Sequence, residues 1–248
     1  MTVIDRYDEF AGIEALYRRK IGNDNLLPAE LRKRFESGTM TAYAGDKGLF
    51  LFEQREGFRK LHFRLNDLTA ELPEHNGIVA AYLTYRLGRY PDEPAEWLRT
   101  QGFEQKKKIV RHTAIRIRGD ISNAGIDTAS ADEVYSLFGE IFDAIETDFP
   151  PREQFEERNT YCLRGAQGEP LGIFYDMGRT RVIAVSPEAR RQGIGRRLYM
   201  GYAAAKLLEN ENYIFNAWIH LENKASLALF SSMGFTQDDT MTDCFVRR

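Results

Sequence analysis

Hydrophobic residues recur along this chain with two periods, and the switches between them outline its elements. Val134, Leu137, Phe138, Ile141, Phe142 and Ile145 follow the i, i+3, i+4, i+7 spacing of one helical face. Ser130 stands just before them with Glu133 three residues on, the pattern of a capping box. Pro150-Pro151 predicts the end of that helix, and residues 152–158 suggest a second, short one. Three strand-like runs follow, at 160–163, 171–176 and 181–185, with turns at Gln167-Gly168 and Gly178-Arg179. A long helix over 193–209, a strand over 213–219 and a helix over 224–233 closed by Gly234 come next. A last strand reaches Phe245-Val246.

The first half has similar parts in a similar order. Helices are predicted near 8–20 and 28–37, the second opened by Pro28. Residues 40–44, 49–54 and 58–65 form three consecutive strands, 78–85 a fourth, and 105–117 one or two more. A helix near 93–101 closes on Gly102-Phe103, as the later one closes on Gly234-Phe235. This parallel suggests a divergent internal duplication. The polar, glycine-bearing stretch from Gly119 to Gly125 separates the halves, giving domains at 1–118 and 119–248.

Composition limits the function classes. The chain has 248 residues, 43% hydrophobic and 29% charged, which is globular and excludes a disordered or coiled-coil chain. No apolar run is long enough to span a bilayer, and acidic residues stand where a secretory signal would be apolar. A soluble cytoplasmic protein without membrane contact is expected. Cys162 and Cys244 are too far apart for a CxxC site, and His62, His75, His112 and His220 have no ligand spacing, so no metal is expected. Residues 1–118 hold 21 Lys and Arg against 17 Asp and Glu, and residues 119–248 hold 13 against 20. Neither balance suits a nucleic-acid binder, and Lys106-Lys107-Lys108 is too short to change that.

Chemistry concentrates in one segment. The strand Arg181–Val185 runs through Ser186-Pro187-Glu188-Ala189 into Arg190-Arg191-Gln192-Gly193-Ile194-Gly195-Arg196-Arg197, which opens a helix. The first amides of a helix lack intrahelical acceptors, and the helix dipole makes that end positive. Gly193 and Gly195 let a phosphate approach the backbone, and four arginines stand nearby. The pattern is neither GxGxxG nor GxxxxGK[ST].

Arg190-x-x-Gly193-x-Gly195 after Ile183-Ala184-Val185-x-Pro187 resembles the acyl-CoA-binding motif of the GNAT acyltransferase superfamily. Asn223, with a helix closing on Gly234-Phe235, resembles that family's second signature. The resemblance covers nearly all of 126–248 and implies an α/β fold with a mixed sheet, built as two tandem GNAT-like domains. It also implies that acetyl-CoA, the acyl donor, lies in a wedge between two splayed strands. Main-chain groups of Ile183, Ala184 and Val185 would then meet the pantetheine and thioester. Arg190, Arg191, Gln192, Gly193, Ile194, Gly195 and Arg196 would hold the pyrophosphate, and Asn223 the pantetheine arm. The implied reaction is direct acetyl transfer to a primary amine of a small molecule or amino-acid-like acceptor, with a protein N-terminus or lysine as second choice.

One position departs from the family: Phe230 stands where a tyrosine often protonates the leaving thiolate. Solvent or another group could supply that proton, or the domain could be a CoA-binding regulatory or partner-binding module with little turnover. No catalytic base is assigned. The candidates are Glu146, Asp148, Tyr175, Asp176 and His220. The first half has no such loop: after 58–65 come Asp67, Glu71 and Glu74, and no space for a helix. It is expected to be a degenerate, non-catalytic GNAT-like domain that helps shape the acceptor pocket or a dimer face. A homodimer is compatible with the sequence.

Overall fold

The computed structural model describes residues 1–17, 21–23, 26–178 and 180–248. The proposed Gly178-Arg179 turn and the end of the predicted 8–20 helix reach residues outside that set. The chain divides into two compact units, Met1–Lys108 with Thr240–Arg248, and Ile109–Asp239. The sequence placed a boundary at 118/119. The observed division falls earlier, and the final residues join the first unit because they complete its sheet.

Unit 1 is a mixed sheet with helices. Its strands are β1 (Thr2–Ile4), β2 (Ile21–Gly22), β3 (Met40–Gly45), β4 (Gly48–Arg55), β5 (Phe58–Leu65) and β6 (Val79–Arg86). Strands β3, β4 and β5 form an antiparallel meander, with β1 on β3 and β2 on β5. Strand β6 pairs parallel with β5, through Arg59↔Val79 to Leu61↔Ala81. Residues 240–247 of a late strand pair antiparallel with β6. Helices α1 (Tyr7–Ile13) and α2 (Pro28–Glu36) cover Leu49 and Leu51, and α3 (Asp92–Thr100) presents Trp97 and Leu98 to Phe50, Phe63 and Phe245. The period-2 pattern of the strands places these residues on their faces. The first helix is shorter than predicted: it ends at Ile13 and tightens into a 3-10 turn at Glu14–Tyr17. The stretch 105–117 is one strand, β7 (Glu104–Ala114), whose first half lies in unit 1.

Unit 2 begins on the second half of β7 and contains the segment of interest. Helix α4 (Ala131–Ile141) starts at the expected capping box, where Ser130 N donates to Glu133 Oε2 at 2.8 Å. It stops sooner than the apolar period predicts. Phe142 is extended, and Asp143 caps a new short helix, α5 (Ala144–Thr147), by accepting from Ile145 N. The expected helix over 152–158 is instead two 3-10 turns, Arg152–Gln154 and Glu157–Asn159. Strands β8 (Thr160–Arg164), β9 (Pro170–Asp176) and β10 (Arg181–Val185) form an antiparallel meander. Helix α6 (Ile194–Glu209) follows, then β11 (Phe215–His220), α7 (Lys224–Ser232) and β12 (Thr236–Arg247). Strand β11 pairs antiparallel with residues 109–114 of β7.

Two cores lie on the faces of β8–β10. Phe174, Leu198, Tyr199, Tyr202, Phe215 and Phe230 form the α6 side. Val134, Phe138, Phe149, Ile173, Tyr175 and Ala184 form the α4 side. Helix α6 lies so close to β9 that a Cβ on Gly172 would sit 2.9 Å from Ala184 O and 2.8 Å from Ile194 Cγ2. Among the described residues no helix is long and apolar enough to cross a membrane.

Candidate functional site

The strand-to-helix segment is built as a backbone cradle. Gly193 is the N-cap of α6, at φ +77°, a conformation that favours glycine. Arg191 also has positive φ, +64°, so this turn is held against the preference of its side chain. The first intrahelical bond runs from Arg197 N to Gly193 O at 3.0 Å. The amides of Gly193, Ile194, Gly195 and Arg196 therefore have no acceptor within the helix. Gly195 packs against Ile183, Val185 and Leu229, with the nearest atom 3.4 Å from where its Cβ would be.

Strand β10 offers a free edge beside this cradle. Ser186 N donates to Leu171 O of the β9 segment at 3.0 Å. Backbone groups alternate along an antiparallel strand, so Ala184 and Val182 also bond toward β9. Ile183 and Val185 then direct their N–H and C=O away from it. Strand β10 is the edge of the β8–β9–β10 sheet, and β11 is the edge of the pair it makes with β7. No backbone ladder joins β10 to β11 among the described residues.

The arginines do not all surround the cradle. Arg190 Nε donates to Val185 O at 3.4 Å. Arg196 turns back, donating to Arg118 O at 2.9 Å and Ser232 Oγ at 3.0 Å. Arg191 and Arg197 are exposed. The expectation of four cationic side chains around one point is corrected accordingly, because Arg196 meets nearer acceptors. Asn223 Oδ1 caps α7 by accepting from Ser226 N at 3.0 Å, which leaves its Nδ2 as a donor.

The base candidates have different surroundings. Glu146 is exposed and accepts from Asp143 N. Asp148 is buried, with positive φ at the end of α5. Tyr175 is buried and accepts from Glu156 N, and burial pushes its hydroxyl pKa up. Asp176 is buried and lies 3.1 Å from Arg181 Nε. His220 is half-buried, and its Nδ1 accepts from Glu222 N. Phe230 is buried against Tyr199 and Phe235, both ring centroids 5.1 Å away.

Sequence reasoning missed Arg181. Its Nη1 donates to Asn216 Oδ1 of β11 at 2.9 Å, and its Nη2 to Tyr213 Oη at 3.0 Å. Burial disfavours its charge, but Tyr202 and Asp176 more than offset this, and its pKa is raised. The available signal was an arginine at the head of an otherwise apolar strand. Tyr199 is 1% exposed, and its hydroxyl has no hydrogen-bond partner among the described residues. Burial pushes the pKa of this hydroxyl up, with Arg181 partly opposing. No cluster of three or more acidic, His or Cys side chains suited to a metal occurs among the described residues.

Residues 158–237 match the acetyltransferase (GNAT) domain. The fold resembles a GCN5-related N-acetyltransferase from Sphaerobacter thermophilus, at 10% identity and TM-score 0.57, covering 90% of this chain and 86% of that one. It also resembles a Pyrococcus horikoshii protein, at 11% identity and TM-score 0.59, covering 99% and 88%. A third, a GCN5-related N-acetyltransferase from Kribbella flavida, aligns at 11% identity and TM-score 0.50, covering 99% and 70%. At these identities the likeness is one of fold. The sequence matches none of the curated proteins.

Proposed function

We propose that the GNAT acetyltransferase domain of residues 158–237 transfers an acetyl group from acetyl-CoA to a primary amine of a small molecule or amino-acid-like acceptor. The observation that carries this reading is the run of amides from Gly193 to Arg196, opening a long helix beside the free edge of β10. Four N–H groups at the positive end of a helix suit a pyrophosphate, with Arg190 and Arg191 as exposed cations beside them. The main-chain groups of Ile183 and Val185 suit an extended, amide-bearing pantetheine arm, and Asn223 Nδ2 can add a donor. Ala184, whose backbone bonds toward β9, only spaces these groups along the strand, so its expected contact with the arm is withdrawn.

Bound acetyl-CoA would supply an activated thioester for attack by a neutral amine. The protein's part is positioning. The cradle fixes the donor at its phosphates, and the N–H groups on the free edge of β10 stand ready to polarise a carbonyl oxygen. Phe230 has no proton to give a leaving thiolate. A thiolate is a weak enough base for solvent to protonate it. The N-terminal unit is read as a relative of this domain without a donor site, since no helix lies between β5 and β6 and Asp67, Glu71 and Glu74 occupy the connection.

Phe230 also favours a second reading, a CoA-responsive module with little turnover. Calorimetric titration with acetyl-CoA, followed by a thiol-release screen of amines, separates the two. Binding with release from at least one amine is the expected result. Binding without release from any amine would favour the module, and no binding would overturn both.

A further inference from the structure

We propose that Arg181 is a positioning residue that sets the separation of β10 and β11, and with it the affinity of the domain for its acyl donor. The inference rests on the acyl-CoA reading above.

The two strands are edges of separate sheets, and no backbone bonds hold them together among the described residues. Arg181 does at one end what a ladder would otherwise do. From the first residue of β10, its two terminal nitrogens reach Asn216 Oδ1 at 2.9 Å and Tyr213 Oη at 3.0 Å. Asp176 of β9 holds it from behind, with Oδ1 3.1 Å from its Nε. Lys206 of α6 stands 3.7 Å from the other Asp176 oxygen. Tyr202 of α6 hydrogen-bonds to Tyr213 at 3.0 Å, and the guanidinium lies over the Tyr202 ring at 5.6 Å. Strands β9, β10 and β11, helix α6 and the lead-in to β11 thus meet at one side chain. Four residues along β10, Val185 carries its carbonyl on the open edge, where Arg190 of the same segment reaches it.

A link from the first residue of β10 to the start of β11 acts as a pin: it fixes the spacing of the two strands at that end, and the spacing further along follows. Arginine suits the role because its planar fork offers separate donors in fixed directions. A lysine can keep the Asp176 pair but cannot reach Asn216 and Tyr213 together. Lysine keeps a positive charge beside Asp176, and the melting temperature of each variant shows whether the unit stays folded.

The test uses the full chain carrying Arg181→Lys or, separately, Asn216→Ala. Calorimetry gives the acetyl-CoA Kd, steady-state kinetics separate donor KM from kcat, and hydrogen exchange reads the backbone. Arg181→Lys is expected to raise Kd and donor KM at least about tenfold, as for loss of charge-assisted hydrogen bonds. Asn216→Ala, which removes one arm, is expected to raise them about threefold. At saturating donor, kcat stays within about threefold in both, since the pin acts on binding. Exchange should rise in β10 and β11 but not in β8. A side chain that only stabilises the fold would lower the melting temperature and leave Kd unchanged; that result in both variants overturns the pin and spares the acyl-CoA reading. Failure of the unaltered protein to bind acetyl-CoA overturns both.

Discussion

Each unit carries a three-stranded antiparallel meander followed by a crossover to a fourth strand, and the two crossovers end differently. In unit 1, residues 66–78 connect β5 to β6 without a helix, and β5 and β6 pair directly in parallel. In unit 2 the sixteen-residue helix α6 intervenes, and among the described residues no ladder joins β10 to β11. Where the backbone pairs, the amides of the fourth strand are consumed in the ladder. Where a helix packs against the sheet, the outer edge of β10 carries no ladder to β11 among the described residues. Under the acyl-CoA reading proposed above, the difference would leave donor binding to the unit whose strand edge is open.

Four substitutions would break or sharpen this contrast. The largest effect is expected from Gly172→Val. Its Cβ would press on Ala184 O and Leu198 and push α6 off the sheet, costing about 3 kcal/mol or more. Urea denaturation should register that loss. A variant as stable as the parent would mean that α6 is not seated where its contacts place it.

Next is Gly193→Glu. The site for a Cβ is open, so the cost comes from the positive φ, about 1 kcal/mol, and from a carboxylate facing the amide cradle. Acetyl-CoA affinity should fall by about thirtyfold or more, corresponding to about 2 kcal/mol. Unchanged affinity in calorimetry would remove the cradle from the site.

The third concerns acid. Arg164 hydrogen-bonds Glu133, and the Ser130 capping box adds to it, holding its pKa down at about 2 against the opposing effect of burial. A carboxylate depressed in the folded state contributes stability that is full above its ordinary value, near 4.5, and lost as pH falls toward 2. The parent should exceed Glu133→Gln by about 1 kcal/mol at pH 6, after discounting for solvent screening. That gap should close between pH 4.5 and 2. A gap independent of pH would assign the effect to packing. Unit 1 has a counterpart in Glu53, where burial opposes ionisation but His62, Arg55 and Arg34 hold the pKa far below the usual range.

The smallest effect is Tyr199→Phe. Removing a buried hydroxyl without a partner should leave stability unchanged or raise it by up to about 1 kcal/mol. A clear loss of acetyl transfer with intact folding would show instead that this hydroxyl meets the substrate.

Much of unit 2 is legible in its sequence because its signals are local. Strand Arg181–Val185 and the start of α6 follow from β-branched residues running into glycines. Capping at Ser130 follows from a four-residue pattern. The break after Ile141 was written there as well: Asp143 and Glu146 repeat the capping-box spacing, but the apolar period running through Phe142 and Ile145 masked it. What could not be read depends on distance in the fold. Nothing near Gly172 in sequence reveals that α6 presses on it, and nothing near Arg181 reveals Asn216 and Tyr213. The short strand Thr2–Ile4 owes its form to pairing with β3, not to its own composition.

The chain also trades strand segments: β7 starts in unit 1 and finishes in unit 2, while β12 ends in unit 1. On a ribosome this has a cost in timing. Strand β6 emerges long before the segment that covers its outer edge, so unit 1 waits with an exposed, adhesive strand while all of unit 2 is made. Truncation late in translation would leave a nascent chain prone to sticking to its neighbours, and a chaperone that shields Val79–Arg86 would be most useful in that interval.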